Sequence, residues 1–490
     1  MLLLPAAFII FWLDKHCSQM SPCHFGAMLK NNRMHQDSKN TKVAINSSPK
    51  SSVAIIGGGI SGLSCAYHLN DDFDVTVYES AAKPGGHTDT HEFELEGKLT
   101  RVDSGFFIFC PQYYPNFTAM LDDLGVESQP TNMSFSARNH LTGTIYNASN
   151  PNKLFCDRRN LLRPSFWRMV FDIVRFYRSA KSLLTDKPDI TTSVSEYLLQ
   201  NNYSKQFSED HLLPMVSALW SATPEKVKEF PIHHLIDFFD RHGLMKFIGR
   251  PQWLVVKNGS ASYVEALQAK LNCTWKLNEP VQKITRESNS VQIVTKSGAN
   301  NYDAVVMATH ADISLAIIQD ASASENEILS DILFEDNQVI MHTDESLMHP
   351  NKKSWASWNT VVPRESDQNS LNCCTANYWM NSLQSLDLTT NVFTTLNSTQ
   401  SIDPDKVLAK RSYSHPIFTA KSVAAQKRLP EINGKKNTFH AGAFWGWGFH
   451  EDGARSAAHA CKLIQDKFVN HIQTKESQVK ENQAKESQVN

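Results

Sequence analysis

Short apolar blocks punctuate this chain between longer amphipathic stretches. Val53-Ala54-Ile55-Ile56 is an unbroken apolar run followed by glycines, the pattern of a strand buried in a parallel sheet. Residues 63–69 then read as helix, and Asp74-Val75-Thr76-Val77-Tyr78 predicts a second strand. Residues 280–284 open a predicted hairpin continued by SVQIVTKSG, and residues 302–309 predict another buried strand. Strand, helix and strand in this order predict an α/β chain. Further strand-like runs fall at 338–342, 373–380 and 392–396.

Residues 160–184 read as an amphipathic helix. One side carries Phe166, Trp167, Val170, Phe171, Val174, Phe176 and Tyr177. The other carries Arg163, Arg168, Arg175, Arg178 and Lys181. The stripe reads as core packing with a solvated face. A basic amphipathic helix lying on an anionic membrane is the other reading, which would make a peripheral membrane contact.

The ends differ from the middle. Residues 2–13 form an apolar run broken by Pro5, too short for a bilayer, which needs ~20 residues. Residues 14–50 are Ser/Asn/Lys-rich and basic, compatible with an organelle-targeting extension, a weak signal anchor or no address at all. Without such an address the protein is expected in the cytoplasm. KESQV occurs twice in the polar tail, residues 471–490, which cannot bury a core and is expected to be disordered or a frayed helix. The working protein therefore spans about 51–470.

Composition narrows the class. The chain has 490 residues, 41% hydrophobic and 20% charged, which excludes collagen, a wholly disordered chain and a polytopic membrane protein. A formal net charge of −2 offers no field for nucleic acid. Nine cysteines, none in a CxxC pair, argue against a disulfide scaffold or zinc ribbon. The adjacent Cys373 and Cys374 read as half-buried strand rather than a redox centre.

Chemistry enters at the glycines. Gly57, Gly59 and Gly62 stand in GxGxxG spacing between the first strand and the helix. Gly57 permits the turn, Gly59 lets backbone approach a pyrophosphate, and Gly62 lets helix and strand pack closely. The helix start, with Ser61 in its first turn, offers unpaired N–H groups to a diphosphate. Glu79, with Ser80 beside it, ends the second strand about 20 residues on, where an acid accepts ribose hydroxyls. That acid disfavours a 2′-phosphorylated dinucleotide.

The next segments resemble the large FAD family that contains amine oxidases, protoporphyrinogen oxidases and phytoene desaturases. SAAKPGGHT supplies a second doublet, Gly85 and Gly86, which that family wraps around the diphosphate and flavin. Val102-Asp103-Ser104-Gly105 resembles its VDxG segment. Val281 stands where a backbone valine meets the adenine, and TFHAGAFWGWGFHEDGARSAAHA resembles the closing flavin motif. The resemblance implies that Gly442, Glu451 and Asp452 belong to the flavin site, with a helix from about Asp452 pointing at the cofactor. It also implies that His87 takes the place of a basic residue near the diphosphate. HTDTH has metal-like spacing at His87, Asp89 and His91, but its place after the glycine doublet favours a cofactor-loop role, and no metal is expected.

The likeness is closer to bacterial and plant proteins described as predicted NAD/FAD-binding or amine-oxidase-like. It is carried by GFFIFCPQYYPNFTAMLDDLGV at 105–126, FPIHHLIDFFDRHGL at 230–244 and RPQWLVVKNGSASYV at 250–264, and covers about 52–468. It implies an α/β fold: a Rossmann-type FAD-binding domain (51–135, 250–312, 428–470) interleaved with an α+β substrate domain (136–249 helical, 313–427 sheet). Such proteins accompany cyclopropane-fatty-acyl-phospholipid synthase-like methyltransferases, which here would be a separate partner. The implied function is FAD-dependent removal of hydride from a hydrophobic substrate, a modified or unsaturated fatty acyl chain. The alternatives are an amine or isoprenoid oxidase, or a FAD-binding accessory subunit of the methyltransferase.

Departures from the amine oxidases matter. Those enzymes hold a water against the flavin with a lysine, yet residues 320–351 contain no Lys or Arg. His342 is the candidate of comparable reach, although an ordinary strand histidine is the simpler reading. Trp445, Trp447 and Phe449 supply rings in the closing loop, with Phe449 where amine oxidases place a tyrosine. No cysteine anchor stands near Tyr413 to His415, so non-covalent FAD is expected.

Overall fold

The computed structural model describes residues 50–184, 189–246, 249–364 and 374–486, with side chains described to 469. The expectations for residues 1–49, Cys373 and the last four residues lie outside the described residues.

Five parallel strands form the first sheet: β1 (Ser52–Ile56), β2 (Asp74–Tyr78), β3 (Thr274–Lys276), β4 (Ala304–Met307) and β5 (Thr438–His440). Their order is β5-β4-β1-β2-β3. The chain leaves β1 to one side and returns to its other side at β4. The switch point therefore lies between the ends of β1 and β4, where open α/β sheets bind ligands. Val53, Ala54, Ile55 and all four residues of β4 are essentially inaccessible, which explains why both segments read as continuous apolar blocks. Helix α1 (Ile60–Leu69) covers one face. A three-stranded antiparallel sheet, Val281–Arg286, Val291–Thr295 and Gly298–Tyr302, accounts for the predicted hairpin.

The second sheet has seven strands. In spatial order they are Val407–Pro416, Phe334–His342, Phe393–Leu396, Thr375–Trp379, Trp358–Val362, Phe135–Asn139 and Thr144–Asn147. All neighbours are antiparallel except Trp358–Val362 with Phe135–Asn139. The last two strands correct the expectation that the segment from 136 is helical throughout. At five and four residues, FSARN and TIYN are too short to carry a clear period, and the sheet accepts them by pairing.

Helices follow from Val194 to Arg241 around buried Phe207, Trp220, Phe230, Phe238 and Phe239. The amphipathic segment forms α2 (Pro164–Ser179), whose Phe166, Met169, Val170, Phe176 and Tyr177 are buried. The closing helix α3 (His450–Glu486) starts before the expected Asp452. It also runs on through 471–486, where a disordered tail or a frayed helix was expected, and takes the helical alternative.

Two buried polar clusters fix the layers. Asp103 accepts the Ser260 N–H at 2.9 Å, the Ser260 hydroxyl at 2.8 Å and the Gln384 amide at 2.8 Å, joining distant segments. Arg286, at the end of the hairpin's first strand, is clamped between Glu325 and Asp320. The described cysteines are free thiols. Among the described residues no helix is long and apolar enough to cross a membrane.

Candidate functional site: one cavity from the switch point to an apolar chamber

A cavity of about 580 Å³ starts at the switch point and continues to the second sheet, a volume within the ~300–1,000 Å³ typical of ligand sites. Its first wall is Gly57, Gly58, Gly59, Ile60 and Ser61. Helix α1 begins there with Gly59 as its N-cap, no side-chain cap and no acid in its first turn. The partial positive charge of the helix start is therefore left for an anion. Gly62 lies behind this wall, where it lets α1 pack on the turn. Glu79 lines the cavity and accepts the Gly58 and Ala81 N–H groups, both at 2.8 Å, with the Ser80 hydroxyl donating at 3.2 Å. The acid thus latches the glycine turn and keeps lone pairs for ribose hydroxyls. Ser80 and Val281 line the same end.

The second doublet is clasped onto the first: Gly85 N–H donates to Gly58 O at 2.8 Å. It delivers His87 to the middle of the cavity. The His87 ring stacks on Tyr413 at 4.8 Å and lies 5.1 Å from His415 and 6.4 Å from His310. Burial, then the neighbouring imidazoles, holds His87 well below the usual histidine range. Burial, then His310, pushes His415 down to about 4. These rings are neutral at neutral pH. His87 Nε2 is buried without a protein partner.

The tautomer of His415 follows from a chain of amides. The Gln338 N–H donates to Asn397 Oδ1 at 3.1 Å, which turns Asn397 Nδ2 onto Asn337 Oδ1 at 2.7 Å. Asn337 Nδ2 must then donate, to Glu335 O at 2.9 Å and to His415 Nδ1 at 3.2 Å. His415 Nδ1 accepts, so its proton is on Nε2.

The closing loop supplies Gly442, Phe444, Trp447, Phe449 and His450 to the wall. Beyond them lie Met133, Leu219, Trp220, Phe238, Leu244 and Tyr378. Phe238 stacks on Phe449 at 4.8 Å, and the Trp220 indole donates to Trp447 O at 2.9 Å, so the helical layer holds the loop. Among the lining residues the only carboxylates are Glu79 and Glu279, both at the nucleotide end, and there is no Lys, Arg or Cys.

Four expected site residues stand elsewhere. Glu451 accepts the Phe117 N–H at 3.1 Å and the Asn116 N–H at 3.2 Å, capping the helix Pro115–Leu124. Asp452 accepts the Trp447 and Phe449 N–H groups, both at 3.0 Å, and shapes the loop from behind. Trp445 packs outward beside the helices Ala323–Ser330 and Leu429–Ile432. His342 is fully buried and bonded to Thr395 Oγ1 at 2.7 Å. Its nine-residue strand contributes Phe334 to the cavity wall, whereas His342 stands at the strand's other end beside Phe393, and neither of these two lines the cavity. Of the HTDTH residues, Asp89 and His91 do not line the cavity; they pair with each other at 3.1 Å and, through Asp89, with Arg411 at 2.7 Å. Among the described residues no cluster suits a metal ion.

The residues fit FAD on two observations. The helix start has no cap of its own, and His87, a residue of the cavity wall, has a buried ring nitrogen without a protein partner. Glu79→Ala is expected to weaken FAD binding by ~1–3 kcal/mol, since it removes the ribose acceptor and frees the Gly58 N–H. Titration of the apoprotein with FAD checks this, and unchanged affinity would place the ribose elsewhere.

The family model described as flavin containing amine oxidoreductase matches residues 60–410. No curated protein sequence matches the chain. Among solved structures, the CLA-producing fatty acid isomerase from P. acnes aligns with TM-score 0.61 and 18% identity, over 86% of this chain and 100% of that one. Cyclohexylamine oxidase from Brevibacterium oxydans IH-35A aligns with TM-score 0.63 and 16% identity, over 86% and 99%. Putrescine oxidase aligns with TM-score 0.61 and 12% identity, over 85% and 99%.

Proposed function

The chain belongs to the flavin containing amine oxidoreductase family, and from that premise we propose that this FAD-dependent oxidoreductase takes hydride from an uncharged hydrophobic substrate, a modified or unsaturated fatty acyl chain. FAD, when bound, supplies the hydride acceptor. The observation that carries the substrate reading is the wall beyond the closing loop, apolar and free of Asp, Glu, Lys and Arg.

Charge favours the acyl chain over the amine. An ammonium ion entering this chamber would lose water and meet no carboxylate, at a cost of several kcal/mol. The faces of Trp220, Phe238 and Phe449 would return only ~0.5–2 kcal/mol as cation–π attraction. A methylene chain gains ~0.8 kcal/mol per buried CH₂ and asks for no partner. A free carboxylate would be as poorly served as an ammonium, so the acyl group enters as an ester or leaves its head outside. A fatty acid isomerase is among the proteins similar in fold.

The chain's own groups have plain tasks. The aromatic walls exclude water and align the chain. His415, held as the Nε2–H tautomer, presents a donor to the cavity. Its low proton affinity keeps it neutral, so it orients a polar atom without adding charge.

Anaerobic addition of unsaturated or cyclopropane fatty acyl esters to the holoprotein is expected to bleach the visible flavin band, while primary amines and diamines leave it unchanged. Bleaching by amines alone would overturn the reading.

A further inference from the structure

We propose that the outer face of α2 and its flanking turns is a docking surface for an anionic lipid bilayer. The inference stands on exposure and charge, and holds whatever substrate the cavity takes.

Charge is the first observation. Residues 150–184 contain eight Lys and Arg against Asp157 and Asp172, a local net charge of +6 in a chain whose total is −2. Internal pairing consumes only part of it. Arg159 pairs with Asp157 at 2.9 Å, Arg168 and Arg175 share the buried Asp172 at 3.1 and 3.0 Å, and Lys181 pairs with Asp240 at 2.7 Å. Arg158, Arg163 and Arg178 make no ion pair among the described residues. Arg158 and Arg163 reach an amide or a carbonyl oxygen, contacts that leave their charge uncompensated.

Exposure is the second. Of the large hydrophobic side chains that stand open to solvent, four gather here: Leu161 at 45%, Leu162 at 87%, Phe171 at 57% and Leu199 at 80%. They form one patch. The Trp167 indole donates to Leu161 O at 3.0 Å, and Phe171 is one turn further along the same face. The Arg168 guanidinium sits 6.0 Å from the Phe171 ring and donates to Asn202 O at 3.3 Å, which brings the Leu199 turn alongside. The helix already buries its other apolar face, so these residues are surplus to the core.

Exposed leucine and phenylalanine among unpaired guanidiniums match a surface that is anionic outside and apolar just beneath. A bilayer with phosphatidylserine has both properties in one plane. The match also explains why the helix carries an amphipathic pattern wider than its buried stripe.

The test uses the full chain, loaded with FAD, sedimented with vesicles of phosphatidylcholine alone or mixed with phosphatidylserine. Binding to the mixed vesicles only, weakened by salt, is expected. Each charge removed by Arg158→Gln or Arg178→Gln should weaken it roughly fivefold. Leu162→Ser with Phe171→Ser should weaken it further while flavin content stays unchanged. Equal binding to both vesicle types, no binding, or variants that bind like the parent would overturn the proposal. The last result would assign the attraction to another basic segment, such as residues 14–50.

Discussion

Gly59→Val is expected to fold as the parent does and to carry no FAD. A Cβ built on Gly59 meets nothing within 4 Å, and the residue's φ of −75° and ψ of −175° suit a β-branched side chain. The substitution therefore strains neither packing nor backbone. What it fills is the space in front of the uncapped start of α1, where a diphosphate comes within hydrogen-bond distance of backbone N–H groups. Gly62→Ala makes the contrast. Its Cβ would stand 1.8 Å from Gly57 O, so the turn itself must break. Visible spectra and thermal melts of the two variants check this together. Melting like that of the parent apoprotein, without flavin, is expected for Gly59→Val, and loss of both fold and flavin for Gly62→Ala. A flavin-loaded Gly59→Val protein would show that the diphosphate lies elsewhere. The parent should release its flavin on denaturation, as the absence of cysteine among the lining residues leaves no thiol anchor.

Arg286→Ala is expected to cost ~3–5 kcal/mol of stability, a large share of the ~5–15 kcal/mol that holds a typical domain. The guanidinium is fully inaccessible. It meets both Glu325 oxygens, one of them at 3.0 Å, and Asp320 Oδ1 at 3.0 Å. Removing it leaves the Glu325 carboxylate in a buried site, 2% exposed, with only the Ser322 N–H and hydroxyl as donors. Asp320 is 29% exposed and will recover water, so Glu325 carries most of the loss. The midpoint of urea unfolding is the measurement. Adding Glu325→Met to Arg286→Met should recover most of the loss, apart from the capping box that Glu325 closes on Ser322. An unchanged midpoint for Arg286→Ala would mean that water already reaches the pair.

The nucleotide half was legible because its signals are local and steric. Four apolar residues, a glycine pattern and a terminal acid describe β1, α1 and β2 within 28 residues, and Gly57 and Gly62 each have a close contact that explains them. The cavity's polar centre was not legible. His87, His310 and His415 come from three separate segments, and their meeting depends on pairing in two sheets. His415 did carry a signal. It alternates with Tyr413 along one strand, as residues facing the same side do. His342 misled because residue type in a matched region says nothing of distance along a strand. Glu451 and Asp452 misled for a related reason. An acid at the start of a helix can cap a neighbouring helix or fold its own loop as readily as it can hold a ligand.

Helix α3 seals the site from behind. A Cβ on Gly453 would press on Ile60 of α1 at 2.7 Å, Cys461 Sγ lies 3.8 Å from Cys65 O, and Gln465 reaches His68 O at 3.3 Å. The cofactor's first turn and its last support are therefore separated by 393 residues, from Gly57 to His450. At ~5–20 residues per second, the ribosome leaves the glycine turn without its backing helix for roughly 20–80 s. During that interval the emerging chain has a dinucleotide turn but no closed chamber, with Leu63 and Ala66 of α1 still lacking the packing that α3 supplies. Insertion of FAD thus waits until α3 has emerged, and a nascent chain stalled before α3 should depend on chaperones rather than on cofactor supply.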